Sequence, residues 1–107
     1  MAQTAAALEI AKSFVQDCQK IGLTFDKVFL FGSHATGREH EWSDIDLLLV
    51  SDLFTTNSFE NFRLYSKVNA RYPSIEAHAY PRSYFQAGDA FLSDVLKNVV
   101  EIVVTKP

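Results

Sequence analysis

The sequence is short of cysteine, of basic charge and of long apolar runs, and each shortage removes a class of protein. A single cysteine, Cys18, cannot close an internal disulfide or build a metal cluster. It falls within an apolar helical periodicity and reads as a small buried hydrophobe. Ten Lys and Arg against thirteen Asp and Glu leave a formal charge of -3. Such a balance gives no general attraction for nucleic acid, which asks for a basic footprint, although a local basic groove stays open. No stretch approaches the roughly 18–20 apolar residues that span a bilayer. The start "MAQTAAALEI" lacks the basic flank and apolar core of a secretory signal, so a cytoplasmic protein with no membrane partner is expected. Repeats, linkers and low-complexity blocks are missing too, and 107 residues are expected to form one domain, 1–107, with little mass for a second pocket.

What is present is a core. The sequence is 48% hydrophobic with nine phenylalanines, which argues against disorder. From Thr4 to Ile21, Leu8, Ala11, Phe14, Val15, Cys18 and Ile21 recur at helical spacing before Gly22. "KVFLF" (27–31) is a short apolar strand ended by Gly32, and residues 34–37 have room for one or two helical turns. "IDLLLV" (45–50) is a second strand whose continuous apolar end requires cover on both faces. A helix over 58–72 stops before Pro73. "SIEAHAY" (74–80) alternates, with Ile75, Ala77 and Ala79 on one side and Glu76, His78 and Tyr80 on the other. A last helix is expected over 85–97, and "VVEIVVT" fits either a fourth strand or the end of that helix. The order predicts an α/β (α+β) fold with a small mixed sheet of three to four strands flanked by helices.

Asp44 and Asp46 stand at the mouth of the most apolar strand. Side chains two apart share a strand face, so the two carboxylates point the same way while Ile45 and Leu47 enter the core. Paired carboxylates repel unless a cation lies between them, and oxygen ligands suit a hard divalent ion such as Mg²⁺. Strand alternation makes Glu76 the best third acid, and three carboxylates with a substrate's phosphates allow two metal ions. Upstream, Gly32 and Ser33 form a turn between a strand and a short helix, able to aim N–H groups and a hydroxyl at a phosphate.

The stretch "GSHATGREHEWSDIDLLLV" resembles the signature of the nucleotidyltransferase superfamily that includes DNA polymerase beta. It is closest to the minimal single-domain (MNT) branch, often the antitoxin partner of a helical HEPN-domain toxin. Gly32, Ser33, Gly37, Ser43, Asp44 and Asp46 match the pattern position for position, and Glu76 matches the acid on a later strand. The resemblance implies a nucleotidyltransferase-like fold, with Gly32 and Ser33 as the phosphate-gripping turn. It makes Asp44, Asp46 and Glu76 both catalytic residues and metal ligands, Glu76 also favouring deprotonation of the acceptor hydroxyl. Minimal members often carry an arginine after the glycine-serine pair where this chain has His34, and Arg38 is the candidate substitute.

The expected activity is therefore Mg²⁺-dependent transfer of a nucleoside monophosphate, AMP from ATP, to a hydroxyl on a partner HEPN toxin. Two alternatives accompany it: a non-catalytic module that masks the toxin, and a nucleotidyltransferase acting on a small molecule. Arg63, Lys67 and Arg71 form a basic stripe at helical spacing, read as a solvated helix face. His34, His40 and His78 have no zinc-site spacing, but His78 shares the Glu76 face. Trp42, Phe54, Phe59, Tyr72, Tyr80, Tyr84 and Phe85 exceed what so small a chain hides easily, and a homo- or hetero-oligomer would cover them.

Overall fold

A computed structural model describes residues 2–36 and 44–104. Its first element, α1 (Ala2–Lys20), buries Ala7, Ala11, Phe14, Val15 and Cys18, the stripe produced by 3.6-residue periodicity. Gly22 ends it with φ 96°, a left-handed conformation open to glycine. The Leu23 amide then reaches back to the Cys18 carbonyl at 3.1 Å and the Gly22 amide to that of Gln19 at 3.0 Å, satisfying carbonyls the helix cannot.

Four strands form one sheet in the order β3-β2-β1-β4. β1 (Lys27–Phe31) runs antiparallel to both β2 (Ile45–Ser51) and β4 (Val100–Ile102). β3 (Ile75–Pro81) lies parallel to β2, which requires a crossover, and α3 (Ser58–Asn69) supplies it. The short α2 (Ser33–Thr36) follows β1, and α4 (Arg82–Ala87) and α5 (Ala90–Val95) fill the chain between β3 and β4. The mixed sheet flanked by helices is the predicted fold class.

Alternation divides each strand between two faces. On one, Val28, Leu30, Ile45, Leu47, Leu49, Ile75 and Ile102 pack with Phe14, Val15 and Cys18 of α1 and Tyr65 and Val68 of α3. Each such apolar side chain contributes about 1.5–3 kcal/mol on full burial. On the other, Phe29, Leu48 and Leu92 form a smaller cluster with Phe31, Tyr80, Phe85 and Val99. Leu48 is fully buried on this second face, and Leu47 and Leu49 on the first, so β2 is covered on both sides, as its unbroken apolar run requires.

Buried Asn61 fixes the approach to α3, accepting from the Thr55 amide and donating to the Thr55 carbonyl, both at 2.8 Å. Asn57 caps the helix by accepting the Glu60 amide at 3.1 Å. Arg82 joins the end of β3 to the loops at the other strands through Asp26 at 2.7 Å and Asp52 at 2.8 Å.

Two expectations are revised and two open points are decided. The single helix over 85–97 is two short ones, because Gly88 takes φ 76° and Asp89 restarts the chain by capping α5 through the Leu92 amide at 2.8 Å. The helix over 58–72 stops at Asn69, and residues 70–72 continue as turn and coil. The apolar tail is a strand, since Val100–Ile102 finds the free edge of β1. Of the surplus aromatics, Phe54 is buried, packed edge-on to Tyr65 at 6.2 Å. Among the described residues no helix is long and apolar enough to cross a membrane.

Candidate active site

Strand register builds the site. Phe31 of β1, Asp46 of β2 and Glu76 of β3 are direct partners across the sheet, so their side chains share a face. The next row on that face is Phe29, Leu48 and His78. The acidic row thus lies where β1 ends and β2 and β3 begin, one step beyond the apolar cluster. His78 Nε2 is 3.6 Å from Asp46 Oδ1 and 3.9 Å from Glu76 Oε1. Among the described residues, these three bring donor atoms within 4.8 Å of one another.

Gly32 closes the site from the β1 side. It has φ 77°, and a Cβ there would collide with Asp46 Oδ2 and stand 3.3 Å from Asp46 Cγ. Two demands therefore select glycine: a left-handed backbone and the close approach of a carboxylate. The Ala35 amide donates to the Gly32 carbonyl at 3.1 Å, and Ser33 opens α2 directly beside this contact.

The Asp46 carboxyl is held above its ordinary range, first by burial, then by the negative charge of Glu76, with His78 offsetting part of the effect. An ionised Asp46 is thus an electrostatic liability in the metal-free protein, and a cation would relieve it. The donor set fits one. Metal–ligand bonds of about 2.0–2.2 Å put neighbouring ligand atoms roughly 3–3.5 Å apart and opposite ones about 4 Å apart. The separations from His78 to the two carboxylates fall within that span, and Nε2 is buried with no hydrogen-bond partner.

Of the sequence-derived carboxylates, the structure thus brings Asp46 and Glu76 together. Asp44 is exposed just before β2 and stands outside the three-residue cluster, but it lines with Glu76 a cavity of about 340 Å³ bordered by Phe62, Asn69 and Pro73. Gly37, Arg38, His40, Trp42 and Ser43 lie outside the described residues, as does the His34 side chain. Arg63 and Lys67 are exposed on α3, and Arg71 beyond it approaches Asp17 at 3.5 Å rather than the site. Sequence reasoning left His78 outside the ligand set. Its signal was the alternation of "IEAH", which returns residue 78 to the face of residue 76.

The comparisons with known proteins agree with this geometry. Residues 11–103 match the model of the family described as nucleotidyltransferase domain. A Sulfolobus solfataricus structure described as a nucleotidyltransferase superposes with a TM-score of 0.69 at 22% identity, covering 92% of this chain and 80% of that one. A toxin-antitoxin structure with AMP-PNP superposes with a TM-score of 0.61 at 16% identity, covering 92% of this chain and 74% of that one. At these identities the likeness is one of fold. Among curated proteins no match is found. The match over 11–103, together with adjacent acids against a glycine turn, has one reading: the chain belongs to the nucleotidyltransferase domain family, whose chemistry is nucleotidyl transfer.

Proposed function

We propose that this chain, acting as a single domain, transfers AMP from ATP to a hydroxyl of a partner HEPN-domain toxin and is that toxin's antitoxin. The observation that carries the reading is the Asp46–Glu76 pair in register beneath the Gly32 turn, in a chain of this family. The fold likeness to a toxin-antitoxin bound to AMP-PNP supports both the adenine nucleotide and the protein partner. Exposed Phe59 and Phe62 on α3 support the partner as well, because Phe62 lines the cavity that Asp44 and Glu76 share.

On this reading the acceptor oxygen bonds to the α-phosphorus as the bond from that phosphorus to the β-bridging oxygen breaks. Pyrophosphate leaves, and the hydroxyl proton passes to Glu76, the more exposed of the two paired carboxylates. Asp44, Asp46 and Glu76 would hold divalent cations, two Mg²⁺ ions, which would neutralise triphosphate charge. Gly32 and Ser33 present backbone N–H groups and a hydroxyl to the phosphates, and Arg38 adds a positive charge. The partner supplies an oriented hydroxyl, turning an encounter into an effectively intramolecular attack.

The test incubates the protein with Mg²⁺, ATP labelled at the α-phosphate, and one of three acceptors: a candidate HEPN protein, RNA, or a panel of small hydroxyl compounds. Label on one partner hydroxyl, located by mass spectrometry and lost with Asp46→Asn, is expected. Label on RNA or a small compound at far higher kcat/KM overturns the protein-acceptor reading. Toxin silenced without label would mean masking.

A further inference from the structure

We propose that His78 is a nitrogen ligand of the metal site, alongside Asp46 and Glu76, and that it makes the site bind a divalent transition-metal ion such as Mn²⁺ more tightly than Mg²⁺. This rests on the reading of Asp46 and Glu76 as metal ligands and extends it by a residue and a metal class.

Three roles compete for His78. In the first it is a packing residue, and its ring does meet Phe31 edge-on at 5.1 Å. Packing alone leaves the Nε2 atom buried without a hydrogen bond, which is costly for a polar atom, whereas among the described residues the buried Ser51 and Asn61 side chains are both hydrogen-bonded. In the second role His78 is a cationic counter-ion to the two acids. A charge-assisted N–H···O bond is short, about 2.7–2.9 Å, yet Nε2 stands 3.6 Å and 3.9 Å from the nearest carboxylate oxygens. Those separations are too long for direct bonding and suit three atoms that share an ion.

The third role, ligation, uses the Nε2 lone pair and explains why the imidazole is aimed at two carboxylates without bonding to either. The strands make the arrangement stiff. Asp46 and Glu76 are register partners, His78 follows Glu76 by two residues, and Phe31 holds the ring from the β1 side. Glu76, more than half exposed, has freedom to close on an ion.

The donor set then decides the metal. Mg²⁺ prefers oxygen ligands and retained waters, whereas imidazole favours transition-metal ions, which bind nitrogen-containing sites in the Irving–Williams order. A set of one nitrogen and two carboxylates therefore binds Mn²⁺ more tightly than Mg²⁺, and Co²⁺ more tightly still.

Two measurements test this, a metal titration of the metal-free chain and a spectrum of the Mn²⁺-loaded one. Isothermal titration calorimetry with MnCl₂ and with MgCl₂ is expected to give about ten-fold or greater preference for Mn²⁺. His78→Gln should reduce Mn²⁺ affinity by about ten-fold or more while changing Mg²⁺ affinity by no more than roughly three-fold. Electron spin-echo envelope modulation of the Mn²⁺-loaded wild-type protein should show nitrogen coupling that changes when histidine is labelled with ¹⁵N, a readout independent of whether the variant folds. Bound Mn²⁺ without nitrogen coupling overturns the inference and leaves the carboxylate site standing. Failure of both ions to bind at millimolar concentration overturns the carboxylate reading as well.

Discussion

The two faces of the sheet are made by the same strands and differ in what their alternate residues must do. Toward α1 and α3 the strands present Val28, Leu30, Ile45, Leu47, Leu49 and Ile75, and the helices close over them. Toward α4 and α5, the cover is partial. Phe29 and Leu48 pack against Leu92 of α5, and one row further on the face changes to Asp46 and Glu76, with His78 of the Leu48 row reaching toward them. Charge appears where the roof ends. One face carries the stability that lets the other hold two like charges side by side.

Substitution on the packed face should have the largest effect. Phe14→Ala empties a fully buried site between α1 and the aromatic rings of Tyr65 and Tyr72. It should cost about 3–5 kcal/mol by chemical denaturation. At a temperature where the variant remains folded, its metal affinity should match the wild type. A parallel loss of metal binding by calorimetry would show that the faces are not separable.

Asp46→Asn acts in the opposite sense. Nucleotidyl transfer should fall on the order of 10²–10³-fold or more. Metal-free stability should rise or hold, because the ionised carboxyl opposes burial and the charge of Glu76. The sign follows from linkage. The folded carboxyl sits above its ordinary value of 3.8, so its cost is absent below that pH, grows as pH rises through the folded value and is complete above it. Thermal melts without metal at pH 7 and at about pH 3 should therefore show the variant's advantage only at the higher pH. A large loss at pH 7 would mark Asp46 as a structural residue.

Gly32→Ala is intermediate. The left-handed backbone alone costs about 1–3 kcal/mol for a residue with a Cβ. The new methyl must also displace the Asp46 carboxylate, so metal affinity should fall together with stability. Metal affinity unchanged in calorimetry would separate the glycine turn from the acids.

The smallest effect belongs to the rim of the packed face. Tyr72 donates to Asp17 at 2.5 Å, and this bond, with Arg71 and Lys20 nearby, holds the Asp17 carboxyl below its ordinary value. Its contribution is present above pH 3.8 and is lost as pH falls through the lower folded value. Tyr72→Phe should lower the melting temperature modestly at pH 7 and less at about pH 2, checked by circular dichroism. An equal loss at both pH values would assign the effect to packing against Phe14 instead.

Local pattern carried most of the fold. The strands at 27–31 and 45–50 and the alternating 74–80 are each within a residue of β1, β2 and β3, because a period of two over an apolar run leaves few alternatives. The stretch "VVEIVVT" was not legible, since a short β-branched run satisfies a strand or a helix end equally until the open edge of β1 is available to pair with it. The break at Gly88 was missed because apolar spacing on both sides is helical, and the left-handed glycine that separates them leaves no mark on periodicity.

The site divides along the same line. Spacing alone predicts that Asp44 and Asp46 point the same way, that Glu76 and His78 share a face of their own strand, and that a glycine-serine turn precedes them. Only the tertiary structure sets the parallel register that makes Asp46 and Glu76 neighbours, leaves Asp44 exposed ahead of the strand, and brings His78 to the carboxylates. The same assembly presses Asp46 against Gly32. Sequence periodicity determines which way a side chain points along its own strand, whereas its neighbours across the sheet depend on register, and register is decided by how the helices bury the opposite face.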